Sequence, residues 1–157
     1  MSKKHTFNTT LNWDGANGVG TTSYSAYSRN HIISGKGKQD ILGSADPAFR
    51  GDSTKYNPEE LLIASLSSCH MLWYLHLCAD AGVVVTGYSD NATGTMTEEP
   101  NGGGRFTEVM LNPIITVKEN AMEQKAMELH HKAHEKCFIA NSCNFPVRHT
   151  AIIKTEN

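Results

Sequence analysis

Hydrophobic and polar positions change rhythm several times along this chain. The first fifty residues run in short β-branched and aromatic stretches broken by turn chemistry. His5 to Trp13 reads as a strand, Asp14-Gly15 and Asn17-Gly18 as turns, and Val19 to Tyr27 and Arg29 to Ser34 as two further strands. Asp40 to Tyr56, punctuated by Gly43, Pro47 and Gly51, reads as a long loop. A well-marked helix start follows. Asn57 can cap the free amides, Pro58 suits the first helical position, and Glu60 stands three residues after the cap. Good helix formers continue to Ala81, and Gly82 offers a left-handed stop. The predicted helix has about 24 residues and a length of about 36 Å.

Beyond it, Val83 to Thr97 and Arg105 to Val117 read as long strands around the glycine-rich hairpin Pro100 to Gly104. Asn120, with Glu123 at capping-box spacing, starts a second helix, and Met122, Ala126, Leu129 and Ala133 mark its apolar stripe. Val147 to Lys154 closes the chain as a strand. The order βββ-α-ββ-α-β predicts an α+β fold in a single domain spanning residues 1–157. A central helix so long and apolar needs more cover than one thin sheet gives, which points to a two-fold dimer.

Composition narrows the function classes. Among 157 residues, 39% are hydrophobic and 19% charged, with a net charge of −2, so neither a nucleic-acid nor an anionic-membrane partner is expected. The most apolar stretch, Leu61 to Val85, contains Ser65, Ser67, Ser68, His70, His76 and Asp80. These are costly at a bilayer centre, so it reads as core. The polar start Met1 to Thr6 has no apolar h-region, and a cytoplasmic location is expected.

Four cysteines, at 69, 78, 137 and 143, fit neither a disulfide scaffold nor a paired zinc ribbon. Cys69 shares the helical spacing of Leu62, Leu66 and Trp73, where a thiol is often mere filling. The middle of a helix also withholds the thiolate stabilisation that an N-terminus gives, so a reactive Cys69 needs a cation from another segment. Cys137 follows the second helix, where a thiol can approach another if the two helices pack together. Cys78, nine residues beyond Cys69, reads as structural.

Asn57-Pro58-Glu59-Glu60-Leu61-Leu62, with Cys69 ten residues after Glu59, resembles the motif of the OsmC/Ohr family. His134-x-x-Cys137 is similar to that family's second-cysteine region, and the order of elements matches along nearly the whole chain. The resemblance implies an OsmC-like fold, an intertwined homodimer and a thiol-dependent peroxidase of the oxidative stress response. It implies that Cys69 reduces organic hydroperoxides through a sulfenic acid and that Cys137 forms a disulfide with it. An external dithiol then restores both, and no cofactor or metal is needed. The family also uses a Glu and an Arg. Glu59 matches the Glu, and Arg50 is preferred over Arg29 as the Arg. Glu59 lies about 15 Å along the helix axis from Cys69, so it is expected to serve the Cys69 of a second chain, with active sites at the dimer interface. Phe138 stands where the family often has Pro, and Cys143 competes as a resolving thiol.

The same residues also fit two rival readings. His130, His134 and Cys137 follow a spacing that can share a metal ion. A non-enzymatic member of the fold could instead bind a small apolar ligand or sense oxidants through the same cysteine pair. No Gly-x-Ser-x-Gly elbow or phosphate loop is present.

Overall fold

The structure, a computed structural model, describes residues 3–156. They fall into two compact units, one running up to Leu61 and one from Leu62 onward. The first holds an antiparallel meander of β1 (Thr10–Trp13), β2 (His31–Ser34) and β3 (Ile41–Gly43). The expected strand over Val19 to Tyr27 is not formed. Its serine- and threonine-rich segment turns repeatedly, with Gly18 and Gly20 at positive φ, and folds back so that Trp13 Nε1 donates to the Ser28 carbonyl at 2.8 Å. Gly15 permits this, because a Cβ there would stand 2.0 Å from the Ser28 carbonyl oxygen. The third strand comes instead from the predicted loop, where Ile41 to Gly43 pairs with β2.

Helix α1 (Pro58–Asp80) forms as the sequence demands. Asn57 Oδ1 accepts from the Glu60 N–H at 2.8 Å and Glu60 Oε2 accepts from the Asn57 N–H at 3.0 Å, a reciprocal capping box. Gly82 at φ 72° ends the helix, and the Val83 N–H returns to the Cys78 carbonyl at 2.9 Å.

In the second unit the two predicted long strands each break in two. The first gives β4 (Val85–Asp90) and β5 (Thr93–Glu98), and the second β6 (Gly104–Leu111) and β7 (Pro113–Val117). Asp90 drives both breaks, since one carboxylate oxygen accepts from the Asn112 N–H at 2.7 Å and the other from Ser67 Oγ on α1 at 2.5 Å. The chain end likewise divides into β8 (Val147–His149) and β9 (Ile152–Thr155). Two three-stranded sheets result, β4-β7-β9 and β5-β6-β8, with β8 and β9 parallel to their neighbours. Helix α2 (Glu123–Lys136) starts one turn later than expected. Residues 120–122 form a 3₁₀ turn, so Asn120 does not cap α2, and Met122 at the cap position makes no side-chain cap bond.

The buried ridge of α1 is Leu66, His70, Tyr74 and Cys78, at strict intervals of four. This corrects the expected Leu62-Leu66-Cys69-Trp73 stripe by part of a turn and leaves Cys69 on the flank of the core. Tyr74 and Cys78 pack with Val83, Ile115, Val117, Ala126, Leu129 and Ala133, while Leu66 packs with Val109, Leu111 and Val147. Each buried Leu, Val or Ile among them contributes on the order of 1.5–3 kcal/mol by leaving water. The rest of α1 is covered poorly, and Leu72 is 63% exposed.

Candidate active site

Cys69 projects from mid-α1 and is half-buried, whereas Cys137, the first residue past α2, is buried. The chain leaves the helix there in extended conformation, at φ −68° and ψ 108°, which turns the thiol inward. The two thiols are neighbours. Burial pushes the Cys137 thiol up to about 11. The Ala140 N–H, 3.4 Å from Sγ, opposes that rise, and the adjacent Cys69 thiol adds to it. Cys143 Sγ donates to the Ile139 carbonyl at 3.3 Å, within its own turn, and burial raises its pKa as well. Cys78 is buried in the core beside Tyr74 with its pKa raised by burial, the setting of an inert thiol.

A cavity of about 490 Å³ opens beside Cys69. One face of α1 supplies its wall through Ser65, Ser68, Leu72, Trp73 and His76, and Phe138 and Ile139 close it. The two serine hydroxyls donate back to helix carbonyls, Ser65 to Leu62 at 2.7 Å and Ser68 to Ser65 at 3.2 Å, so the wall they present is largely apolar. Trp73 and Phe138 meet edge to face, 5.7 Å between ring centroids at 82°. Phe138, legible in the sequence only as a departure from the family pattern, is thus part of the cavity wall.

Glu59 lies in the first unit, where it lines a separate cavity of about 480 Å³ with Arg29, Trp13, Tyr27 and His31. Arg29 sits over the faces of Tyr24 and Tyr27, 4.3 and 4.1 Å from their centroids, and donates to both of their carbonyls. Those bonds occupy two of its five donors. Arg50 is placed differently. It is exposed, in the left-handed region at φ 64°, closing the 3₁₀ turn of Pro47–Phe49 through its backbone N–H. Arg29 and Glu59 thus line one cavity, whereas the preferred Arg50 is exposed and is not among the residues that line it.

The suspected metal ligands do not converge. His130 is buried, stacked on Tyr74 with 3.9 Å between centroids, and its Nδ1 lies 3.0 Å from His70 Nε2. Among the described residues no group of three His, Cys, Asp or Glu side chains is placed to hold an ion. What the sequence did not reveal is an imidazole cluster in which His70 and His130 are buried and His134 and His149 half-buried. Only the four-residue spacing of Leu66, His70 and Tyr74 signalled that His70 faces inward.

The geometry can be set beside known proteins. The family model described as OsmC-like protein matches residues 51–151. An OsmC-like protein of unknown function from Vibrio cholerae is 32% identical, with a TM-score of 0.85 over 95% of this chain and 100% of that one. An organic hydroperoxide resistance protein from Elizabethkingia anophelis is 19% identical with a TM-score of 0.69, covering 99% of this chain and 100% of that one. Another, from Legionella pneumophila, is 20% identical with a TM-score of 0.68, covering 96% and 99%. At these last two identities the likeness is one of fold. Among curated proteins, none matches the sequence. On the family match and on the Vibrio relative together, this chain belongs to the family of OsmC-like proteins.

Proposed function

We propose that the protein is a cysteine-dependent peroxidase that reduces organic hydroperoxides. The observation that carries this is the meeting of Cys69 and Cys137 at the edge of an apolar cavity. The Cys69 thiolate attacks the peroxide oxygen, the O–O bond breaks, and the departing alkoxide takes a proton to leave as alcohol. The resulting sulfenic acid condenses with Cys137, whose S–H proton leaves with the hydroxyl as water while the disulfide forms. An external dithiol supplies the two electrons and two protons that restore both thiols. A wall of Leu72, Trp73, Phe138 and Ile139 favours an alkyl or aryl hydroperoxide over hydrogen peroxide, whose hydration it cannot replace.

The working unit is a two-fold dimer in the cytoplasm. Glu59 and Arg29 of one copy serve the Cys69 of a second, since Glu59 and Cys69 stand about 15 Å apart along one helix axis. Exposed Leu72 and Phe138, 63% and 69% accessible, supply apolar surface for that partner to cover. Stopped-flow mixing of the reduced protein with cumene hydroperoxide tests the function. Consumption is expected to be at least a hundredfold faster than by free cysteine, and faster than with hydrogen peroxide. A rate equal to free cysteine would instead leave an apolar-ligand binder or slow oxidant sensor.

A further inference from the structure

Beneath the cysteine pair, the same two elements that carry the thiols are joined a second time. His70, the residue after Cys69 on α1, and His130, two turns before Cys137 on α2, place Nε2 and Nδ1 3.0 Å apart with their rings 6° from parallel. Among the described residues this is the one side-chain hydrogen bond between α1 and α2. Both rings are buried, at 0% and 1% exposure, Tyr74 stacks on His130, and His149 sits 5.3 Å from His70 and 5.8 Å from His130.

The bond is an expensive way to fill a core. A neutral imidazole has one N–H and one bare nitrogen, so whichever ring donates, one ring is left with an N–H and the other with a lone pair on its far side. Those far atoms, His70 Nδ1 and His130 Nε2, are buried without a partner. Apolar side chains of similar volume would cover the same helices at no such cost. What they would not supply is direction. Packing lets α1 and α2 slide by fractions of an ångström, whereas a ring-to-ring hydrogen bond fixes their separation and rotation. A disulfide tolerates little error in either, with Cα atoms within about 4.4–6.8 Å and a narrow torsion about the S–S bond.

We propose that His70 and His130 are positioning residues whose hydrogen bond clamps α1 to α2 and holds Cys69 and Cys137 in register to form a disulfide. This rests on the cysteine pair of the reading above, but not on peroxide turnover.

The test is redox equilibrium of the pair with glutathione, which needs no peroxidase activity. Oxidised glutathione takes two electrons, two S–H bonds become one S–S bond, and two glutathione thiols are released. The measured effective concentration of Cys137 at Cys69 reports their alignment. His130→Phe keeps the stacking on Tyr74 and removes both nitrogens, and is expected to lower that effective concentration tenfold or more. His130→Gln, which keeps a donor and an acceptor, is expected to recover most of the loss. His149→Phe, which leaves the bond intact, is expected to stay within twofold of the wild type. A smaller fall in a folded His130→Phe, or no rescue by Gln, overturns the clamp, as does a wild-type chain forming no Cys69–Cys137 disulfide with glutathione. If His130→Phe does not fold, the wild type decides by reciprocity. Closing the disulfide must then shift the ring nitrogen NMR signals of His70 and His130, and unmoved signals overturn the inference. A protein that passes this test yet consumes no hydroperoxide would sink the peroxidase and leave the clamp standing.

Discussion

Cys69→Ser is expected to lower organic-hydroperoxide consumption by on the order of 10³-fold or more, with folding unchanged, because an attacking thiolate is lost outright. Cys137→Ser is expected to behave differently. One equivalent of peroxide is still consumed quickly, a sulfenic acid accumulates at Cys69, and turnover with a dithiol reductant then fails. The contrast follows from the environment of the two sulfurs. Cys69 faces the cavity, whereas Cys137 is buried with its pKa pushed up to about 11. At neutral pH such a thiol is scarcely ionised, which suits it poorly to lead an attack on an incoming substrate. It is suited to the second step, which happens inside the protein. Oxidation of Cys69 also removes the neighbouring thiol, one of the causes of the rise, just when Cys137 must react. Single-turnover kinetics with a sulfenic-acid trap measure both arms. A Cys137→Ser chain that loses the first equivalent, or a Cys69→Ser chain that keeps it, reverses the roles.

Acid is expected to unfold the protein unusually early. Burial lowers the His70 pKa to about 4, with His149 and His134 adding to the shift. Burial likewise lowers His130 to about 3, with His70 and His149 adding, and His149 moves the same way. The groups facing this pair are those imidazoles and Tyr74, so no described carboxylate pairs with the cluster. In the unfolded chain the same histidines take up a proton near pH 6.5. As pH falls below 6.5, the unfolded state therefore binds protons that the folded state refuses, and stability falls until the folded pKa values are reached. Each of His70 and His130 then contributes a slope of about 1.4 kcal/mol per pH unit, over the window from 6.5 to about 4 and to about 3 respectively. Urea unfolding between pH 7.5 and 4.5 measures this. The loss should begin above pH 6, where carboxylates scarcely titrate. A profile flat down to pH 5 would mean that the cluster is hydrated or opens without cost.

Local chemistry made part of this structure legible. The Asn57–Glu60 capping box, the Gly82 stop and the α+β order all rest on short-range bonds that the sequence spells out. The meeting of Cys69 and Cys137 was legible through family resemblance, since neither residue's own surroundings announce it. The misses have one physical cause, in that each depends on a distant partner. Asp90 breaks the long strands because Ser67 and Asn112 reach it from elsewhere. Val19 to Tyr27 has strand-like residues, but its polar turns wrap Trp13 and cradle Arg29. The ridge of α1 was misplaced because His70, Tyr74 and Cys78 count weakly as apolar, although burial beside one another makes them core. Arg50 stood near the family position, yet it is Arg29, 30 residues from Glu59 along the chain, that lines the same cavity as Glu59.

The most direct test of the central claim is peptide mapping of the wild-type protein after one equivalent of cumene hydroperoxide. The account predicts a Cys69–Cys137 disulfide as the main product, with Cys78 and Cys143 still free. A Cys69–Cys143 link, or a chain whose Cys69 stays reduced while the peroxide persists, would contradict it.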